Sequence, residues 1–203
     1  MSFIYHYTDS LRLPSILETG ELRPSSNRTG DFPPDFLWAT TDENGDRTSS
    51  AAAKAVRTLW RKGELLLIRF VLDERDFNDW EPVARSLGWT KRHIHSLKKA
   101  ARSLGERDSN RWRCRPEPLA ITKALRIEAR WATANTWVLP NRLVCLSSKA
   151  EPGFRAVAIG DRAYGGVRRE TIDDRAAYDF VRPFPGTLAD EAFRDPQSNK
   201  EAL

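Results

Sequence analysis

Two side chains far apart in the sequence, His6 and Glu117, are of the types that can do catalytic chemistry. His6 stands inside an aromatic, β-branched run that predicts a strand, where a titratable group needs a partner or a ligand. Glu117 stands between two prolines, which fix the local backbone and remove hydrogen-bond donors. A carboxylate held rigidly beside a cation such as Arg115 can stabilise positive charge that develops on a substrate. The alternatives are a satisfied core histidine and a surface glutamate in a proline-rich turn.

The other titratable side chains give weaker signals. His93 and His95 lie two residues apart in a predicted helix, whereas a helical metal pair needs a spacing of four, so we predict no metal site. Cys114 lies between Arg113 and Arg115, and cations so close are expected to lower the pKa of the thiol. No base is placed for it in the sequence. The sequence motifs of Rossmann dinucleotide sites, P-loops, serine hydrolases and zinc proteases do not occur.

Basic side chains are concentrated in one stretch of the sequence. The 203 residues include 33 Lys and Arg against 28 Asp and Glu, which gives a net charge of +5. Between Arg85 and Arg115 there are ten basic side chains and only two acidic ones. Such a block is either a footprint for a polyanion or a solvated helix face. The flanking Trp89 and Trp112 are either base-stacking rings or core anchors.

The elements that must position these groups alternate strand and helix early and cluster strands late, which predicts an α+β fold. Strands are predicted at 3–7, 36–40, 64–72, 125–131, 136–139, 143–146 and 154–159. Helices are predicted at about 10–19, 48–60, 91–104 and 171–180, with glycine stops at Gly20, Gly63 and Gly105. Residues 23–35 and the acidic stretch 73–81 are expected to be loops.

The basic stretch itself is predicted to form an amphipathic helix with Thr90 as its N-cap. Its apolar residues recur at spacings of three and four, so we expect one face to pack on the core. Those residues are Ile94, Leu97, Ala101 and Leu104.

The length and composition bound the class of protein. One domain is predicted over 1–182, followed by a C-terminal tail at 183–203. Seven Trp and nine Phe exclude disorder of the chain as a whole. The longest apolar run is far too short for a membrane span, so we expect no membrane partner. Two cysteines form neither a disulfide framework nor a zinc spacing, which favours a reduced, cytoplasmic compartment.

Three segments carry a resemblance to a known family. In 4–22, His6 and Thr8 fall on a His-x-Thr strand that is followed by a Leu-x-x-Ile-Leu helix ending in Gly-x-Leu. The segment 36–41 is similar to an aromatic-Ser-Thr strand, with Ala39 in place of the serine. The segment 115–117 resembles a glutamate with a specificity position two residues before it. Together they resemble the ADP-ribosyltransferase-like superfamily, nearest in look to DNA-targeting ADP-ribosyltransferase toxins, and 142–182 lies outside the resemblance.

The resemblance implies a split, twisted β-sheet core with flanking helices, which takes NAD as co-substrate. In that superfamily the first-strand histidine holds an NAD ribose, an aromatic ring stacks on nicotinamide, and the glutamate binds the nicotinamide-ribose hydroxyl. The implied NAD-binding residues are His6, Tyr7, Thr8, Trp38, Thr40 and Thr41. The implied catalytic residue is Glu117, with Glu128 as the foremost alternative and Glu64, Glu151 and Glu170 behind it. Cations for the pyrophosphate are expected among Arg23, Arg28, Arg47 and Arg57.

The predicted function is therefore mono-ADP-ribosyl transfer from NAD to a nucleic acid, DNA or RNA, or to a protein. A toxin or phage-related role, with an antitoxin as a further partner, is implied by the resemblance alone. One alternative is a non-catalytic basic module that binds nucleic acid. Another is an RNA 2′-phosphotransferase-like enzyme on the same fold. Phosphate-bearing substrates would be held by Arg111, Arg113 and Arg115.

Overall fold

The computed structural model describes residues 2–24, 35–45, 49, 52–106, 108–148, 154–159, 162–167, 169–170, 176–177 and 193–194. Within these residues the protein is mixed α+β, as the sequence predicts. The helices are α1 (Leu13–Thr19), α2 (Lys54–Arg61), α3 (Trp80–Ser86) and α4 (Lys91–Ser103).

The first eight strands lie in the part of the chain that carries the candidate site. They are β1 (Phe3–Asp9), β2 (Glu21–Leu22), β3 (Leu37–Thr40), β4 (Leu67–Asp73), β5 (Asn78–Asp79), β6 (Trp112–Arg115), β7 (Leu119–Ala120) and β8 (Arg126–Arg130). Six of them form one sheet in the order β5-β6-β3-β1-β4-β8. The β1–β3, β3–β6 and β5–β6 ladders are antiparallel.

The remaining strands form smaller sheets. They are β9 (Leu143–Ser148), β10 (Phe154–Ile159), β11 (Arg162–Val167), β12 (Arg169–Glu170), β13 (Ala176–Ala177) and β14 (Phe193–Arg194). An antiparallel sheet has the order β11-β10-β9-β14, and β12 pairs with β13.

The chain divides into two compact units, neither of which is continuous in sequence. The first unit comprises Met1–Tyr7, Gly20–Ala53 and Arg69–Arg126, and the second comprises Thr8–Thr19, Lys54–Ile68 and Ile127–Leu203. The domain bounds 1–182 stay a prediction.

The start and the end of α1 are set by local side-chain and backbone signals. The Asp9 carboxylate accepts from the backbone N–H groups of Leu11 (3.0 Å) and Arg12 (3.2 Å), which holds the turn that leads into the helix. Pro14 occupies the first turn, where its missing N–H costs nothing. Gly20 has φ of 69°, the left-handed conformation that glycine adopts most readily, and it ends the helix.

The basic helix α4 follows the predicted pattern except at its end. The Thr90 side chain accepts from the His93 N–H, and His93 Nδ1 accepts from the Thr90 N–H, both at 3.2 Å, which makes a reciprocal cap. Ile94 and Ala101 are buried, and Leu97 packs beside them. The inward position predicted for Leu104 is wrong, because the helix ends at Ser103 and Leu104 is 58% exposed.

The acidic stretch 73–81 is not a plain loop. It contains a short turn of 3-10 helix, strand β5 and the start of α3. Trp80 and Ala84 lie four residues apart on one face of α3, and both are buried. Glu81 stands in the first turn, where the helix dipole favours an acidic side chain.

Late in the chain the strand predictions at 143–146 and 154–159 are confirmed, and the one at 136–139 is not. That segment contributes only an isolated bridge between Val138 and Ala129. The helix predicted at 171–180 is wrong at Ala176–Ala177, which form β13, and its other residues lie outside the described part of the chain. Of the predicted tail, only Phe193–Arg194 is described, and it pairs with β9.

Each unit has its own buried interior. In the first, α3 and α4 pack against β3 and β6 through a cluster that contains Trp80, Trp89 and Trp112. In the second, α1 packs against β9 and β10, and residues 156–159 of β10 are fully buried. Also in the second unit, Trp60 Nε1 donates to the carbonyl of Arg130 at 2.9 Å.

Candidate functional site

The three segments that carry the family resemblance lie on or beside neighbouring strands of one sheet. β3 runs between β1 and β6. Thr40 is opposite Tyr5 on one side and opposite Trp112 on the other. Glu117 follows β6 by two residues, so segments separated by more than 100 residues meet in one sheet.

His6 is bound directly to the central strand. Its Nδ1 lies 2.8 Å from the backbone oxygen of Trp38. Because a carbonyl oxygen only accepts, Nδ1 carries the proton in this bond, and in the neutral ring Nε2 is then the acceptor nitrogen. The ring is half-buried and lies 6.2 Å from the ring of Phe70. His6 therefore has a fixed tautomer and a fixed orientation.

The strand period separates the candidate residues onto two faces of the sheet. Side chains opposite each other in a ladder share a face, and neighbours along a strand do not. Tyr5, Thr40 and Trp112 are in line across the sheet, so Tyr7 and Trp38 share their face. His6 is on the other face.

Trp38 is part of the aromatic cluster beneath α3 and α4. Its ring lies 5.9 Å from Trp80 and 6.0 Å from Trp112. Its Nε1 donates to an Asp35 carboxylate oxygen at 2.7 Å. The contact between Trp38 and His6 is thus made by the Trp38 backbone, while its ring packs on the helix side.

Tyr7 and the buried Arg69 hold the turn that follows β3. The Tyr7 hydroxyl lies 2.8 Å from the Asp42 carbonyl and 2.7 Å from the Glu43 carbonyl, to which it donates. Arg69 Nη1 donates to the same Glu43 carbonyl at 2.7 Å, and its guanidinium lies 4.7 Å from the centre of the Tyr5 ring. Burial raises the pKa of Tyr7 well above its ordinary value, so its hydroxyl stays a donor.

Arg69 is the residue of this site that sequence reasoning missed. It is 3% exposed in strand β4, whose other residues are apolar except for Asp73 at its end. A charge so deeply buried needs partners, and Glu43 supplies a carbonyl and a carboxylate oxygen, the latter 3.6 Å from Nη2. A single cation inside an apolar run is the signal that points to it.

The threonines differ in their placement. Thr40 is buried, and its hydroxyl accepts from the Asp42 N–H at 3.1 Å. Thr41 is half-buried, and its N–H donates to the Arg111 carbonyl at 2.9 Å. Thr8 is 2% exposed and belongs to the second unit, whereas the other two belong to the first.

Each of the three candidate phosphate-binding arginines has a partner. Arg111 Nη1 donates to Asp42 at 2.7 Å. Arg113 donates to Glu74 at 2.9 Å and lies 3.3 Å from Asp79. Arg115 Nε donates to the Glu117 carbonyl at 3.2 Å, and Nη1 donates to the Asp76 carbonyl at 3.2 Å. A bound phosphate would have to share each guanidinium group with these partners.

The two leading candidates for the catalytic carboxylate lie in different surroundings. The Glu117 side chain is 69% exposed, and its Oε2 lies 3.9 Å from Arg115 Nε. Glu117 does lie beside Arg115, but Pro116 and Glu117 form a bend, so the expected extended geometry of this segment is not observed. Glu128, on β8 in the second unit, is 7% exposed. β1, which carries His6, and β6, which precedes Glu117, lie on either side of β3. These two strands are therefore about 10 Å apart, since neighbouring strands in a sheet are about 4.8 Å apart.

No family model, curated protein or solved structure matches the chain.

Cys114 differs from its expected chemistry. The flanking arginines were expected to lower its pKa, but burial raises it to about 12, with Asp35 and Asp79 adding to the effect. Its side chain points into the apolar cluster, while Arg113 and Arg115 alternate to the other side of β6. A thiol in this setting is not a nucleophile.

The remaining candidates contribute little to the site. Arg23 is exposed and pairs with Glu21 at 3.1 Å, and Arg57 is exposed on α2. Arg28, Arg47 and Glu151 lie outside the described residues. Among the residues that the structure describes, no three His, Cys, Asp or Glu side chains cluster as metal ligands do, and no helix has the length and apolar character of a membrane span.

Proposed function

We propose that the protein transfers ADP-ribose from NAD to a nucleic acid or a protein. The observation that supports this most is the bond between His6 Nδ1 and the Trp38 carbonyl, at 2.8 Å. It joins the strands that carry the first two resemblance segments, and β6 adds the third beside them. The ADP-ribosyltransferase-like form of the α+β fold is part of the same proposal.

His6 would hold a ribose of NAD. With the proton on Nδ1, Nε2 accepts a hydrogen bond, and a ribose hydroxyl is a suitable donor. The ring is half-buried, and the Trp38 carbonyl fixes its direction. The aromatic rings of Tyr7 and Trp38 lie on the other face, so they support β1 and β3 from behind.

Glu117 would act on the bond that breaks. NAD supplies a nicotinamide leaving group, which departs with the electron pair of its glycosidic bond while the ribose carbon bonds to the acceptor. Positive charge develops on the ribose in such a step, and a nearby carboxylate stabilises it. Glu117 is accessible to a substrate, whereas Glu128 is buried, so Glu117 is the first choice.

Nicotinamide release from NAD tests both the activity and this assignment. Wild-type protein should release nicotinamide in the presence of DNA, RNA or protein acceptors. Glu117→Gln should lower the rate by about 10²-fold or more, since one transition-state electrostatic contact is worth that much. The control is Glu18→Gln, an exposed carboxylate on α1.

Two results would count against the assignment. Loss of turnover in Glu128→Gln with full turnover in Glu117→Gln would transfer the catalytic role to Glu128. No nicotinamide release by the wild-type protein with any acceptor would remove the enzyme proposal itself.

A further inference from the structure

The outward face of α4 carries four cations. Lys91, Arg92, Lys99 and Arg102 are all exposed, and we call them the α4 basic face. At 100° per residue they fall within an arc of about 100°, away from Ile94 and the other buried residues. At 1.5 Å per residue they extend over about 16 Å.

These four cations have no ion pair among the described residues, unlike their basic neighbours. Lys98 and Arg85 both bind Glu81 at 2.5 Å. Arg111 and Arg113 are paired with carboxylates as described above. No acidic side chain lies within α4, so nothing on the helix neutralises its basic face.

Two of these four charges are unfavourably placed for the helix itself, whereas Arg102 stands in the last turn, where a cation is favourable. Lys91 and Arg92 stand in the first turn, where the helix dipole disfavours cations, and no acidic residue accompanies them. A solvated face chosen for stability would carry Asp or Glu there. The charge pattern therefore indicates a partner.

The α4 basic face is separate from the His6 side of the sheet. α4 packs on the face of the sheet that bears Trp38, Trp112 and Cys114, and His6 is on the opposite face. We propose that the α4 basic face docks the phosphodiester backbone of a nucleic-acid duplex. This goes beyond NAD chemistry and does not depend on it.

The surroundings of the four cations favour nucleic acid over other polyanions. His95, also exposed, lies within the same arc. The exposed Ser96, Ala100 and Ser103 lie along one side of that arc, where their small side chains leave room for a backbone and the Ser96 hydroxyl can donate to a phosphate oxygen. A protein partner would need an apolar or aromatic anchor within the patch. A membrane would need the apolar side of the helix, which packs on the core.

Binding without NAD tests the proposal. Fluorescence anisotropy of a short DNA duplex and a short RNA duplex is measured over a range of salt, with anionic phosphatidylserine vesicles as a third probe. The variant changes all four residues to Gln. The control variant changes four exposed residues on or beside α2 to Gln: Lys54, Arg57, Arg61 and Lys62. Like the α4 variant, it loses two Lys and two Arg.

Four phosphate contacts predict a slope of log K against log salt of about −3.6 for the wild type. The α4 variant should lose most of that slope and bind at least about tenfold more weakly, while the α2 control stays within about twofold. The duplex that the wild type binds more tightly, DNA or RNA, identifies the type of nucleic acid that the α4 basic face docks. The α4 variant should melt close to the wild type, because it loses unfavourable cations from the first turn and a favourable one, Arg102, from the last turn.

Three results would overturn the proposal. One is an α2 control that weakens binding as much as the α4 variant does. Another is binding to vesicles with none to either duplex. The third is wild-type binding too weak to detect at low salt.

Discussion

The hydroxyl of Tyr7 has a structural task at the end of β3. It donates to the carbonyls of Asp42 and Glu43, the second of which also accepts from Arg69. The turn is thereby fastened to β1 and β4 by side chains from both strands. This places Tyr7 among the groups that support the site from the face opposite His6.

We predict that Tyr7→Phe lowers the free energy of unfolding by about 1 to 3 kcal/mol near neutral pH, because two carbonyls lose their phenolic donor. Burial raises the pKa of Tyr7 in the folded protein above that of the unfolded chain. The phenol therefore contributes stability that is fully present below about pH 10 and declines above it, by up to about 1.4 kcal/mol per pH unit.

Urea unfolding at a series of alkaline pH values measures this contribution. The difference between the wild type and Tyr7→Phe should shrink as the pH rises above about 10. A difference that stays constant or grows would contradict the assigned burial of the hydroxyl.

Helix α4 separates a buried face from an exposed one. Ile94 is 4% exposed in the aromatic cluster, and Leu104 is 58% exposed just past the helix end. We predict that Ile94→Ala lowers the free energy of unfolding by about 2 to 5 kcal/mol, through lost burial and the cavity left behind. Leu104→Ala is the matched control and should change it by less than about 0.5 kcal/mol. Equal losses in the two variants, measured by urea unfolding, would contradict this orientation of α4.

A helix or strand could be predicted where its cap, its apolar spacing and its end signal all agreed in the sequence. α4 was predictable because Thr90, a periodic apolar face and Gly105 all agree. α3 was missed because acidic residues and Pro82 obscured the spacing of Trp80 and Ala84. β6 escapes prediction for a similar reason, because its alternation of buried and half-buried residues is hidden by the arginines of the basic block.

The candidate site was predictable where it depends on local pattern and not where it depends on long-range contacts. That His6 and Tyr7 point to opposite faces follows from the strand period alone. That Arg69 reaches Glu43, 26 residues earlier, depends on how the strands pair, which the sequence pattern does not specify. The same holds for the division into two discontinuous units.

The two faces of the six-stranded sheet carry different features. His6 is presented on one face, with its tautomer fixed by the β3 backbone. α4 covers the other face and turns its basic side outward. The proposed NAD site on the first face and the proposed nucleic-acid docking on the second are separable, so each proposal can fail without the other.

Calorimetric titration with NAD tests the central claim, that His6 holds this co-substrate. The account predicts that the wild type binds NAD and that His6→Ala binds it at least about tenfold more weakly, a loss of about 1.4 kcal/mol. The control is His95→Ala, which changes an exposed histidine on α4 and should bind NAD as the wild type does. Circular dichroism confirms that each variant is folded. Absence of NAD binding by the wild type, or equal affinity in a folded His6→Ala protein, would contradict the account.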